Sequence, residues 1–343
     1  MDNTILYLIT FLTAYIVSFA LTPFFRHIAR KFGVYDRPLT AVKTHKVSTP
    51  YLGGLAIWSG WVVSLILIRF ITNFPTGTLN NLRSIIIGSF MLLLLGLCDD
   101  IKKGGLGFKF KFLIQIIACL IVTVVFDIRI NFIENYVLSV LISIFWIIGL
   151  SNAFNLIDIM DGLSCGTAAI AAFFFFIIAL PSEMIYVNFC AVALFAACLG
   201  FIPFNLSKSK KIFMGDTGSL SIGFILATVA MGTSYTKINP IGIFAPLLIL
   251  AVPIYETIFV SIMRMLKGKN PFLGSKDHFP LRLEKMGYSR KQILIFVYIL
   301  SFMLGIFSYT IVKINDNISY LIFTFVIALL IIFSVRLSKV KVD

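Results

Sequence analysis

Apolar residues in this chain run in long blocks separated by short polar stretches. Eleven blocks can be read, at about 5–25, 53–71, 84–98, 111–127, 136–151, 163–181, 184–201, 218–235, 241–263, 292–312 and 318–335. Typical lengths of roughly 17–22 residues match a membrane-spanning helix, which needs about 20 apolar residues at 1.5 Å rise each. The strands of a membrane barrel would alternate with a period of two, and no such alternation is present. A soluble core built from these blocks would need many long helices apolar on every face. The pattern predicts an all-α polytopic membrane protein of about 11 transmembrane helices.

Composition agrees. Of 343 residues, 59% are hydrophobic and 13% charged, with mean hydropathy +1.00; a globular chain carries about 25% charged residues. The first block has its basic residues after it and none before, so it reads as a retained helix and not a cleaved signal. Placing the loops 26–52, 99–111, 152–162, 202–217 and 264–291 and the tail from 336 on one side collects 24 of the 29 Lys and Arg residues. Only Arg69, Arg83, Arg129, Lys237 and Lys313 fall on the other. Basic loops stay in the cytoplasm, which predicts an outer N-terminus and a cytoplasmic C-terminus. The basic pI near 9.6 then reports orientation and contact with anionic lipid; no clustered basic-aromatic patch points to nucleic acid. Five cysteines lie in or beside apolar blocks, without CxxC spacing, and read as small buried hydrophobes. No repeat or extramembrane segment breaks the chain, so residues 1–343 read as one domain.

All the distinctive polar motifs fall on the predicted cytoplasmic side. Asp99-Asp100 closes an apolar block. Adjacent carboxylates repel unless a cation or donor offsets them. Consecutive helical residues point about 100° apart, so one could hold a metal while the other orients a substrate group or accepts a proton. Taken alone, the pair is also what a solvated helix end paired with Lys102 or Lys103 would show. Asn152, Asn155, Asp158 and Asp161 recur every third residue up to Gly162. All four could converge only if the segment is 3₁₀-like or breaks before that glycine. Amides beside carboxylates suit a nucleotide base, a ribose or a metal-bound phosphate. Phe213-Met-Gly-Asp-Thr-Gly-Ser-Leu220 combines glycines for close approach with Asp216, a hard oxygen ligand of the kind Mg²⁺ takes beside phosphates. Asp216 or Thr217 could equally cap the helix that follows. Lys43-Thr-His-Lys46 offers cations for a diphosphate. His278 and Arg282 stand four apart, and Pro280 between them argues against a regular helix through the pair. Together these describe a metal-dependent site for a phosphate-bearing substrate at the membrane boundary.

From about Pro23 to Gly287 the chain resembles the polyprenyl-phosphate N-acetylhexosamine-1-phosphate transferases, whose five cytoplasmic motifs occur in order. The resemblance implies transfer of a sugar-1-phosphate, N-acetylglucosamine-1-phosphate first among them, from a UDP-N-acetylhexosamine to undecaprenyl phosphate or another polyprenyl phosphate. UMP would be released and a lipid-linked cell-envelope glycan started. It implies a homodimer in the inner membrane, a Mg²⁺ (or Mn²⁺) cofactor and a cytoplasmic site formed by the five loops between 26 and 291. Residue by residue, it carries catalysis to Asp99, Asp100 and His278 and the metal to Asp216. Nucleotide binding falls to Asn155, Asp158, Asp161, Phe213 and Lys46, and phosphate binding to Lys103 and Arg282. Two departures stand out. Ile159 occupies a position where the family has glycine, and His278-Phe-Pro-Leu-Arg-Leu283 keeps only the first histidine and the arginine of the H-x-H-H-R-L form. No triple histidine occurs, which favours the N-acetylhexosamine branch over muramoyl-pentapeptide transfer. The competing readings are a phosphotransferase acting on CDP-alcohols, which would show a denser run of aspartates, and a secondary transporter, whose site would lie at mid-membrane.

Overall fold

The computed structural model describes residues 2–36, 47–102, 104–182, 185–233, 235–236, 240–271 and 274–342. The protein is helical throughout apart from one two-residue antiparallel pairing, β1 (Tyr35–Asp36) with β2 (Thr49–Pro50). Each of the eleven apolar blocks is helical. Among the described residues, eight helices are long and apolar enough to cross a membrane, and a pair bent by 70°, Pro240–Ile249 with Ala251–Leu266, adds a ninth of that composition. The described residues divide into two compact units, 2–36 with 47–233, and 235–342.

The first unit holds α1 (Asn3–Lys31), α2 (Gly53–Ile71), α3 (Thr76–Ile101), α4 (Phe108–Leu120), α5 (Tyr136–Ile157), α6 (Leu163–Ala179), α7 (Ile185–Asn205) and α8 (Gly215–Gly232). Its centre is α8, which packs against α2, α3, α5, α6 and α7 and is buried along nearly its whole length. That placement explains its composition. Shielded by five neighbours, α8 needs no lipid-facing apolar surface, and its Gly, Ser and Thr residues let backbones approach closely. The sharpest approaches are Gly54 of α2, where a Cβ would stand 2.2 Å from the Gly218 nitrogen, and Gly96 of α3, where it would stand 2.3 Å from the Asp216 carbonyl oxygen. Outward, the helices expose Leu, Ile, Val and Phe, among them Phe70, Phe145 and Val125, the reverse of a water-facing surface.

The second unit holds α9 (Ala245–Ile249), α10 (Ala251–Leu266), α11 (Phe279–Lys285), α12 (Arg290–Lys313) and α13 (Asp316–Ser338). Tyr255, Phe279, Phe296 and Phe333 form an aromatic cluster around the buried Phe279, with ring centroids 5.6–6.3 Å apart. Pro280 does not prevent a helix here. It sits in the first turn of α11, with His278 as N-cap, where a missing N–H costs nothing.

Candidate active site

The site of the first unit forms where α3 ends and α8 begins. Two carboxylates at a helix C-terminus oppose the helix dipole and must find partners. Asp99 finds them in Lys111 Nζ at 3.1 Å and the Leu106 N–H at 2.5 Å. The pairing lies beyond the Lys102 and Lys103 that local sequence offered, on the helix that follows. Asp100 turns the other way. Its Oδ1 accepts from the Asp216 N–H at 3.0 Å, and its Oδ2 accepts from the Thr217 N–H at 3.0 Å and the Thr217 hydroxyl at 2.6 Å. The start of α8 is therefore capped from α3, not by Asp216 or Thr217. Gly215 makes room for this, with φ +74° and a Cβ position 2.3 Å from Asp100 Oδ2.

Asp216, freed from capping, reaches two partners: Lys111 Nζ at 2.8 Å through Oδ2 and Asn155 Nδ2 at 2.7 Å through Oδ1. Asn155 also donates to the Ser219 hydroxyl at 3.0 Å. One ammonium thus joins carboxylates from two different helices. It stays reachable from solvent: the side chains of Lys111, Asp99 and Asp216 are 24%, 14% and 25% exposed.

The three-residue rhythm of 152–161 resolves by a break. Helix α5 stops at Ile157 with Asp158 as its cap, and a turn leads to Gly162 at φ +78°. Asn152 points instead to α4, donating to Gln115 Oε1 at 2.8 Å. Asp161 pairs with Lys211 Nζ at 2.6 Å, and that nitrogen lies 5.1 Å above the Phe213 ring. Asp158 keeps part of its surface open but is closely surrounded. Burial, and then the negative charges of Asp216, Asp161 and Asp100, push its pKa well above the usual carboxylate range. Ile159 occurs at a backbone without positive φ, so the turn itself does not demand a glycine there.

Phe213 is fixed by backbone pairing to the 50–54 segment. Its N–H donates to the Pro50 carbonyl at 2.8 Å, and the Gly53 and Gly54 N–H groups, orphan donors of α2, donate to the Phe213 and Met214 carbonyls at 2.9 Å. Asn205, not among the residues singled out above, holds the other end of this loop. It is buried, its Oδ1 accepting from the Gly162 N–H at 2.6 Å and its Nδ2 donating to the Ile212 carbonyl at 2.9 Å. Lys111 was missed as well. Its signal was weak: it closes the basic loop 99–111 at the edge of an apolar block, where a lysine reads as an orientation charge. Lys46 and Lys103 lie outside the described residues.

In the second unit, His278 Nδ1 lies 2.6 Å from Glu256 Oε1, and Glu256 Oε2 accepts from the Phe279 N–H at 3.1 Å. Arg282 is 1% exposed. Its guanidinium bonds Asp277 Oδ1 at 3.1 Å, the Leu337 and Ser338 carbonyls at 3.1 and 3.4 Å, and the Val340 carbonyl. Direct phosphate binding would require these bonds to be given up. Asp277 also takes Lys267 at 2.5 Å. Burial alone would raise its pKa; the bonds from Lys267 and Ser275 and the charges of Lys267 and Arg282 outweigh it and hold the carboxyl below its ordinary value. Arg282→Ala takes one partner from the buried Asp277, which keeps Lys267, and removes the donor from the Leu337, Ser338 and Val340 carbonyls; it is expected to cost about 3 kcal/mol. A thermal unfolding midpoint equal to wild type would contradict this.

Among the described residues, no three His, Cys, Asp or Glu side chains are grouped to hold a metal on their own. Mg²⁺ does not require that; it is usually held by one or two carboxylates and completed by water and substrate phosphates. Asp99 and Asp216, already sharing one cationic nitrogen, fit that demand.

Comparison with known proteins identifies the class. The Glycosyl transferase family 4 pattern matches residues 82–234, the stretch that supplies Asp99, Asp100, Lys111, Asn155, Asp158, Asp161 and Asp216. The chain is 30% identical to the Bacillus subtilis "Probable undecaprenyl-phosphate N-acetylglucosaminyl 1-phosphate transferase", over 99% of this chain and 93% of that protein. It is 28% identical to the decaprenyl-phosphate N-acetylglucosaminephosphotransferase of Mycolicibacterium smegmatis, over 84% of this chain and 78% of that one. To the phospho-N-acetylmuramoyl-pentapeptide-transferase of Bacillus mycoides it is 34% identical, over 65% of this chain and 74% of the relative. The chain belongs to the polyprenyl-phosphate sugar-phosphate transferases, multi-pass membrane enzymes of glycosyl transferase family 4.

Proposed function

We infer that this enzyme transfers N-acetylglucosamine-1-phosphate from UDP-N-acetylglucosamine to undecaprenyl phosphate, releasing UMP and starting a lipid-linked envelope glycan. The observation that carries the reading is the convergence of Asp99, Asp216, Asn155 and Lys111 from four helices onto one partly open cluster. The near full-length similarity to a transferase of that description supports it. The loop charge asymmetry supports a cytoplasmic-membrane enzyme of about 11 spans, N-terminus outside, with this cluster on the cytoplasmic face. Assembly as a homodimer belongs to the same proposal.

In this reading a non-bridging oxygen of the carrier phosphate attacks the sugar-bearing phosphorus of the donor, and the bond to the UMP oxygen breaks. The carrier monophosphate, with a second pKa of about 6, is mostly dianionic at neutral pH and scarcely needs a general base. Asp99 and Asp216 would hold Mg²⁺ in place of the Lys111 ammonium, which then faces the phosphates as a counter-charge. Mg²⁺ bound there would offset charge developing on the leaving UMP. Asn155 orients Asp216 through its amide. Phe213, stiffened by backbone pairing and by Lys211, offers a ring for the uracil, with Asp158 and Asp161 beside the nucleotide.

The test is to incubate purified protein with undecaprenyl phosphate and Mg²⁺ and to measure UMP across a panel of UDP-N-acetylhexosamines, including the muramoyl-pentapeptide donor. UMP release with UDP-N-acetylglucosamine, stopped by EDTA, is expected. No UMP from any donor would sink the reading.

A further inference from the structure

Asp99 and Asp100 are neighbours in sequence, yet their carboxylates face different things. Asp99 directs one oxygen at Lys111, the same nitrogen that Asp216 reaches. Asp100 directs both oxygens at the first turn of α8, accepting three hydrogen bonds from Asp216 and Thr217. A carboxylate offers about four lone-pair sites, so most of this one is committed. Helix α8 has no cap of its own, since Met214 at the N-cap position makes no side-chain bond, and a helix start without a cap leaves backbone N–H groups unpaired. The surroundings are moulded to the contact. A side chain at Gly215 would strike the Asp100 carboxylate, and one at Gly96, a turn earlier on α3, would strike the Asp216 backbone. The arrangement also sets the negative end of α3 against the positive end of α8.

We propose that Asp100 is a positioning residue: it acts through the α8 N-terminus, fixing the backbone from which Asp216 projects, and does not touch the substrate. The proposal deepens the function inferred above and rests on it. Removing the carboxylate loosens the Asp216 backbone and weakens whatever the Asp216 side chain holds. An amide at the same place keeps one acceptor oxygen but sets its NH₂ against the Asp216 or Thr217 N–H, so it holds the start of α8 less well than the carboxylate and better than alanine, which offers no acceptor. A nucleophile or proton acceptor tolerates no such replacement.

Four variants separate these roles: Asp100→Asn, Asp100→Ala, Thr217→Val and the Asp100→Ala/Thr217→Val double. UMP release is followed against Mg²⁺ concentration. Amide hydrogen exchange at Asp216 and Thr217 is measured without Mg²⁺ or substrate. For Asp100→Asn, half-saturating Mg²⁺ is expected to rise about tenfold, the equivalent of one lost cap, with the rate at saturating Mg²⁺ largely kept and exchange accelerated. Asp100→Ala should move both readouts further. Thr217→Val, which removes one of the three bonds, should move both less, and should add nothing on top of Asp100→Ala. The proposal is overturned if Asn and Ala lose the saturating rate alike, on the order of a thousandfold, while exchange stays as in wild type. If the Asp100 variants do not fold, Thr217→Val decides: unchanged exchange and unchanged Mg²⁺ dependence overturn the proposal. A wild-type protein that releases no UMP defeats the function instead, and the exchange data still test the cap.

Discussion

Asp216→Asn is expected to lower Mg²⁺-dependent UMP release by on the order of a thousandfold with the protein still folded. The side chain accepts from Lys111 through one oxygen and from Asn155 through the other. An asparagine amide, whichever way it turns, sets its NH₂ against one of those donors and removes a charge from the cluster. The loss falls on the reacting site because the proposed metal depends on that charge. It spares the fold because the carboxylate is partly exposed, while the helix cap is made by its backbone N–H and Asp100. UMP release and thermal unfolding measured on the same sample check both halves. A normal rate would remove Asp216 from the metal site.

Gly54→Ala should be among the most damaging single-methyl changes in the first unit. The added carbon would stand 2.2 Å from the Gly218 nitrogen and 2.4 Å from its Cα, both backbone atoms in a buried helix, so no side chain can swing aside. Helices α2 and α8 would have to separate, at a cost of about 3 kcal/mol. The same shift would pull the Gly53 and Gly54 N–H groups off the Phe213 and Met214 carbonyls and disturb the loop leading to Asp216. Activity and stability should fall together. Gly149→Ala, where nothing lies within 4 Å, serves as the control and should behave as wild type. Equal unfolding midpoints for the two variants would show that the helices separate more easily than this packing implies.

Much of this was legible in the chain. Runs of apolar residues long enough to cross a bilayer leave the backbone no alternative to helix, because N–H and C=O groups have no water to bond there. All eleven blocks accordingly appear as helices. The polar motifs between them named Asp99, Asp100, Asn155, Asp158, Asp161 and Asp216 as candidates because carboxylates and amides are costly beside a membrane unless they have a task; Phe213 came only with the family resemblance. The division of tasks was not legible. Lys111 belongs to Asp99 and Asp216 rather than to its nearer neighbours, Asn152 turns to Gln115 while Asn155 turns to Asp216, and Asn205 fastens a loop end 43 residues away. Each of those pairings joins different helices or loops. Local spacing fixes which residues share a helical face, but only the packing of α3, α4, α5 and α8 fixes which faces meet. In Asp99-Asp100 both lessons coincide. That two adjacent carboxylates at a helix end point apart follows from the chain alone, since each helical residue turns about 100°. That one faces a lysine and the other a helix terminus follows only from the packing, because α8 begins there and its first N–H groups need an acceptor.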